Sequence, residues 1–180
     1  MGDPMLRRSL LAFPLLLAAC DIDPVTDYLG GIGDPVRGAA LFAPRNLGDT
    51  SRWQGDPAGA AIAAAQLEFL ARSFRESPIY SVNSNPATSQ TLDSAVLEMR
   101  AALGIAPRAP NADIEVLLRR AGRALQDGSQ AGALAALTGP NFTEPPEEAL
   151  RRLGNLPRLR IVSAAAGMAA NEISSSRRRG

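Results

Sequence analysis

The chain has 180 residues, 46% hydrophobic and 21% charged, which is enough for one domain with its own core. It has no histidine and a single cysteine, Cys20, which excludes a Ser-His-Asp triad, a Cys-His pair and the usual zinc sites. Its 19 basic residues are balanced by 18 acids and only 4% of residues are aromatic, so nucleic-acid binding is not expected. We assign no catalytic residue and expect neither a cofactor nor a metal.

The first 20 residues have the three-part pattern of a secretory signal. Arg7-Arg8 precedes an apolar run over 9–17, and the small residues 18–19 lead to Cys20. The run has about 10 residues, half of the ~20 that a membrane-spanning helix needs. A start at Met5 instead of at the first residue would remove an acid from the positive region, so the true start stays open. The alternative is a buried N-terminal helix in which Cys20 is a small core residue.

Leu17-Ala18-Ala19-Cys20 resembles the lipobox of bacterial lipoproteins, and the charge and length of the upstream segment are similar too. The resemblance implies that residues 1–19 are a signal peptide and that fatty acyl chains on Cys20 anchor the protein in the bacterial cell membrane, facing the periplasm. Asp21 resembles a signal for the inner membrane of enteric bacteria, but inner and outer membrane both stay open. The resemblance covers only these first residues, and it implies nothing about the fold of the rest.

Residues 20–55 are predicted to be a lipid-anchored tether with partial order, because acids, glycines and prolines recur there. A short helix over 35–43 is the ordered part. Asp56-Pro57 opens the first long helix, with an N-cap acceptor followed by proline at N1. This helix is expected to end near Arg75. Nearly all residues over 58–65 are small, so a second helix is expected to cross there.

Five more helices are predicted from apolar residues at helical spacing and from capping residues. After a polar loop over 77–90, they cover about 91–103, 111–127, 129–137, 145–153 and 157–173. No segment alternates in the manner of a β-strand. The predicted fold is therefore all-α, a small helical bundle or array of about six helices over 56–173, with a flexible tether before it and a basic disordered tail over 174–180.

Two arginine pairs are candidate binding residues. Arg119 and Arg123 lie on one predicted helix, and Arg151 and Arg152 lie on a later one. If the two pairs share a face, their guanidinium groups would suit an anionic ligand, because guanidinium binds phosphate and carboxylate through two hydrogen bonds. The alternative is a solvated face on which Glu115 pairs with Arg119 one turn later.

Three glutamates are the candidates for carboxylate acid–base chemistry, namely Glu68, Glu76 and Glu98. Lipid-anchored muramidase-type enzymes use such a glutamate. The spacing of Glu68, Arg72 and Glu76 predicts instead a series of ion pairs along one helix face. No aromatic sugar-binding cleft is apparent around them.

The leading functional expectation is a non-enzymatic interaction or scaffold module of the cell envelope, with an envelope protein as its partner and the membrane contacted through Cys20. A binding module for an anionic envelope ligand is the second hypothesis, and a carboxylate-based glycan hydrolase is the third. Crosslinking, salt-sensitive binding and cell-wall digestion would separate these classes.

Overall fold

The computed structural model describes residues 34–176, with side chains to Ser175, and this part of the chain contains eight α-helices and no β-strand. The predicted all-α fold class is therefore confirmed. The helices are α1 (Pro35–Leu47), α2 (Pro57–Glu76), α3 (Tyr80–Asn83), α4 (Pro86–Leu103), α5 (Asn111–Gln126), α6 (Gln130–Ala136), α7 (Pro146–Leu153) and α8 (Arg160–Ser176), with a 3₁₀ helix at Thr50–Trp53. None of these helices is both long enough and apolar enough to cross a membrane.

Helix α2 is the centre of the domain, because α1, α4 and α5 all pack against it. Its start has the predicted capping: the Asp56 carboxylate accepts the Gly59 N–H at 2.8 Å, and Pro57 occupies the first turn. Leu67, Leu70 and Phe74 are fully buried in the core. Burial of side chains around most of its circumference, rather than along one stripe, distinguishes α2 from an ordinary surface helix.

Helix α5 crosses the small-residue half of α2, as the sequence predicted. The contact is close at Gly122 of α5, where a β-carbon would lie 2.8 Å from Cδ1 of Ile62 and 3.2 Å from the carbonyl oxygen of Ala58. The absence of a side chain at Gly122 is thus what lets the two helix backbones approach.

The helical domain begins earlier than the predicted boundary at residue 56. Helix α1 belongs to the core, since Ala40, Ala43 and Leu47 are completely buried and the helix packs against α2 and α8. Asp34 caps it, accepting the Val36 N–H at 2.9 Å, in the same Asp-Pro arrangement that opens α2. The predicted signal peptide, Cys20 and the rest of the tether lie outside the described residues.

Two predicted loop regions also contain helix. Within the predicted 77–90 loop, α3 forms one turn and α4 already begins at Pro86, because Asn85 accepts the Ala87 N–H at 2.9 Å as its N-cap. At the other end of the chain, α8 continues to Ser176, beyond the predicted limit at residue 173. The four residues 177–180 of the predicted basic tail lie outside the described range.

We expect Gly122→Val to destabilise the domain by about 2 kcal/mol, because the added side chain overpacks the contact with Ile62. Gly167 of α8 is the matched control, since a β-carbon there meets nothing within 4 Å. Gly167→Val should stay within about 0.5 kcal/mol of the original chain. Urea unfolding followed by circular dichroism measures both, and equal losses would contradict the close α2–α5 contact.

Candidate functional site

The most buried charged groups of the described chain are Glu68 of α2 and Arg100 of α4. Their side chains are 2% and 3% exposed and form a two-pronged ion pair, with Nε to Oε1 at 2.8 Å and Nη2 to Oε2 at 2.7 Å. The prediction that Glu68 belongs to an exposed ion-pair series with Arg72 and Glu76 is wrong. Glu68 follows Ala61 and Ala64 along a buried stripe of α2, so its carboxylate faces a neighbouring helix.

Every N–H of Arg100 is used within the protein. Nη1 donates to the carbonyl oxygens of Pro107, at 3.0 Å, and Ala109, at 2.8 Å, while Nη2 also donates to Oδ1 of Asn111 at 3.4 Å. With the two bonds to Glu68, these contacts account for all five guanidinium donors. Arg100 thus ties α2, α4 and the link to α5 together, and it has no donor left for a ligand.

The chemistry of Glu68 follows from this enclosure. Burial raises the pKa of the Glu68 carboxyl, and the hydrogen bonds and charge of Arg100 oppose that shift. A raised pKa is a property of general acids, but a general acid must also reach the substrate. Both oxygens of Glu68 are bonded to Arg100 and its side chain is enclosed, so Glu68 has a structural role.

Arg100 was not among the candidates from sequence, although the sequence carries a signal for it. Leu92, Val96 and Arg100 are spaced by four along α4, and the first two are buried in the core. A charged residue on such an apolar stripe needs a buried partner, because an unpaired buried charge is costly. The same test applied to α2 identifies Glu68.

A surface cleft of about 360 Å³ opens beside Arg100, between α4 and the link to α5. Leu97 and Arg108 line it, together with Arg75 and Asp93, which form an ion pair with each other. The charged residues that border this cleft are exposed or already paired, and Arg100 among them has no N–H donor left. It can hold a small polar group against Leu97 and Arg108, but it presents no buried, available polar group to select one.

The first predicted arginine pair lies on α5, in a group of paired charges where α5 contacts α2. Glu115 accepts from Arg119 at 2.7 Å and from Arg72 at 2.8 Å, and its side chain is nearly buried. Both guanidinium groups also lie over the Phe69 ring, at 5.7 Å for Arg72 and 5.9 Å for Arg119. The predicted Glu115–Arg119 pairing is therefore present. Arg123, one turn further along α5, also has an interaction partner.

The second predicted pair is on α7 and is held by acids. Arg151 donates to both oxygens of Glu148, at 2.6 and 2.7 Å, and Arg152 donates to Glu148 and Glu144, at 2.7 and 2.9 Å. These hydrogen bonds lower the pKa of Glu148 to about 2. An anionic ligand would compete with these carboxylates for the same guanidinium groups. Anion binding at the four arginines stays a prediction.

The other two acid–base candidates have different surroundings. Oε2 of Glu98 accepts the backbone N–H groups of Ile161 and Val162, both at 2.9 Å, which caps α8 and sets its start at Arg160 instead of at residue 157. Glu76 is exposed at the end of α2. Among residues 34–176, no three acidic or cysteine side chains are grouped as metal ligands would be.

We expect Glu68→Gln to lower the free energy of unfolding by about 3–5 kcal/mol, because it leaves the Arg100 charge buried without its counter-charge. Glu76→Gln, an exposed change on the same helix, should cost less than about 0.5 kcal/mol. Chemical denaturation followed by circular dichroism measures both. A cost at Glu68 as small as that at Glu76 would refute the buried pair.

The double variant Glu68→Leu with Arg100→Met provides an internal check. It should cost less than the sum of the two single changes, because no charge is left unpaired. It should still be less stable than the original chain, since the carbonyl oxygens of Pro107 and Ala109 lose their donor.

Comparison of the chain with protein-family models, curated proteins and solved structures gave no match.

Proposed function

We propose that this protein is a lipid-anchored cell-envelope protein whose helical domain, residues 34–176, acts as a non-enzymatic interaction or scaffold module on the periplasmic side. The lipobox-like Leu17-Ala18-Ala19-Cys20 supports the anchor. The observation that carries the non-enzymatic role is the enclosure of Glu68, whose carboxylate oxygens are both held by Arg100.

The structural contacts of the candidate glutamates argue against a glycan hydrolase. Such enzymes need one carboxyl group to protonate the leaving oxygen and a second to act on the sugar from the other side. Glu68 is enclosed and Glu98 is bonded to the start of α8, so two of the three candidates already have structural partners. Glu76 alone cannot supply both functions.

The length of the tether supports a role close to the membrane. Cys20 and Asp34 are 34 − 20 = 14 residues apart, and a fully extended chain of that length spans at most about 50 Å. A domain held this close meets membrane-bound partners at a high local concentration. An interaction module needs no large or strongly apolar surface under these conditions.

The second hypothesis, a binding module for an anionic envelope ligand, has less support. Glu115 forms an ion pair with Arg119, while Glu144 and Glu148 form ion pairs with the arginines of α7. A ligand phosphate or carboxylate would meet guanidinium groups whose charge these acids already balance.

We expect the protein extracted from membranes to have an intact mass that corresponds to a chain beginning at Cys20 plus acyl groups. A Cys20→Ala version should keep its first 19 residues and gain no acyl mass, because the thiol that takes the lipid is gone. An unprocessed and unmodified chain in the soluble fraction for both versions would refute the anchor.

We also expect in-cell photocrosslinking from Val116, exposed on α5, to give a discrete protein adduct. The same probe in the Cys20→Ala background is the matched control, and its adduct should weaken, because a chain without acyl groups is held less firmly at the membrane. Absence of adducts from Val116 and from two further exposed positions, Leu97 and Ile161, would contradict the scaffold role.

A further inference from the structure

Helix α1 has a basic and apolar outer face. Its inner side is buried against α2 and α8, whereas Leu41 and Phe42 are 44% and 41% exposed. Arg37 and Arg45 lie one turn before and one turn after Leu41, so all four residues share one side of the helix. We call these four residues, Arg37, Leu41, Phe42 and Arg45, the α1 face.

The charge of the α1 face has one sign. No acid occurs between Pro35 and Leu47, and the nearest acids in sequence, Asp34 and Asp49, are the caps before and after the helix. Asp34 is held by N–H groups of the first turn and by the Tyr80 hydroxyl, and Asp49 by Ser51. The α1 face therefore carries no carboxylate of its own between the two caps, and the Asp34 carboxylate lies at its Arg37 end, on the Tyr80 hydroxyl.

Residues next to the α1 face are also basic or are apolar and exposed. Arg52 of the 3₁₀ helix donates to the Arg45 carbonyl oxygen, which places a third guanidinium at the end of the face. Near the start of α1, the Tyr80 hydroxyl contacts Asp34, and Ile79 and Val82 beside Tyr80 are strongly exposed. Exposed apolar side chains thus extend the surface toward the end where the tether enters.

We infer that the α1 face lies on the anionic surface of the membrane that holds the lipid anchor. This inference rests on the proposed function, because the tether would keep α1 within about 50 Å of a lipid on Cys20. Amphipathic helices bind a bilayer by placing apolar residues at the boundary between headgroups and acyl chains, with cations on the lipid phosphates. Leu41 and Phe42 suit the first role, and Arg37 and Arg45 suit the second.

The contact need not be strong by itself. One arginine near an anionic surface improves binding about fivefold, so two improve it roughly 25-fold. Tethering then converts this weak contact into an intramolecular one with a high effective concentration. The domain would consequently have a defined orientation, with α1 toward the lipid.

The test labels the full, lipidated chain. In a Leu41→Cys variant, the new thiol is the only free one if Cys20 carries lipid, so a nitroxide attaches at residue 41 alone. Val116→Cys, an exposed apolar position on α5, is the matched control. Both proteins are placed in phosphatidylglycerol vesicles and in phosphatidylcholine vesicles, and the access of oxygen and of a water-soluble nickel chelate to the label is measured.

We expect the label at residue 41 to be shielded from nickel and accessible to oxygen in phosphatidylglycerol, while the label at residue 116 stays accessible to nickel. Arg37→Gln with Arg45→Gln should lower the ratio of shielded to exposed label at residue 41 roughly 25-fold. Equal nickel access at both positions on an anchored chain would overturn the inference. Equal shielding of residue 41 in phosphatidylcholine would overturn the part assigned to anionic lipid.

The anchor itself is checked separately by intact mass. A free thiol at Cys20 would show that the proposed function has failed, and the inference with it, whereas an acylated Cys20 with an exposed α1 face would refute the inference alone. The two failures therefore give different results.

Discussion

The buried ion pair between Glu68 and Arg100 is the constraint on which the arrangement of the helices depends. Removing two charges from water costs several kcal/mol for each, and their attraction offsets that cost only when the geometry is good and the remaining N–H groups are bonded. Here the geometry is met only if α2, α4 and the link to α5 are in register, because Arg100 also bonds to Pro107 and Ala109. A packing that separated these helices would leave both charges buried without these bonds.

A second set of polar contacts closes the two ends of the domain in the same way. Thr50 is fully buried, donates to the Pro157 carbonyl oxygen and accepts the Leu159 N–H, while the Ser163 hydroxyl donates to the Gly48 carbonyl oxygen. These bonds join the segment after α1 to the start of α8. Because buried polar groups must be satisfied, they hold the first and last helices against each other more specifically than apolar contact alone would.

The arginines of this structure fall into two groups with different surroundings. Arg100, Arg72 and Arg119 are bonded to acids between or along helices and act in the fold, whereas the arginines of α1 have no acid on their own helix. We propose that this second group acts on the membrane, beside the predicted anchor. A small helical domain can then carry an envelope function by where it is held and how it is oriented, without chemistry of its own.

The sequence by itself determined most helices, because their signals are local. Asp56-Pro57 predicted the start of α2, and Gly104, with φ of 73°, ends α4 as a left-handed C-cap. The sequence also contains the lipobox-like segment, Leu17-Ala18-Ala19-Cys20, which lies outside the described residues. Only the tertiary structure decided that α1 belongs to the core and that Glu68 pairs with Arg100, 32 residues away, instead of with Arg72. A spacing of four residues makes a pair along a helix feasible, but the choice of partner depends on which helices pack together and what they bury.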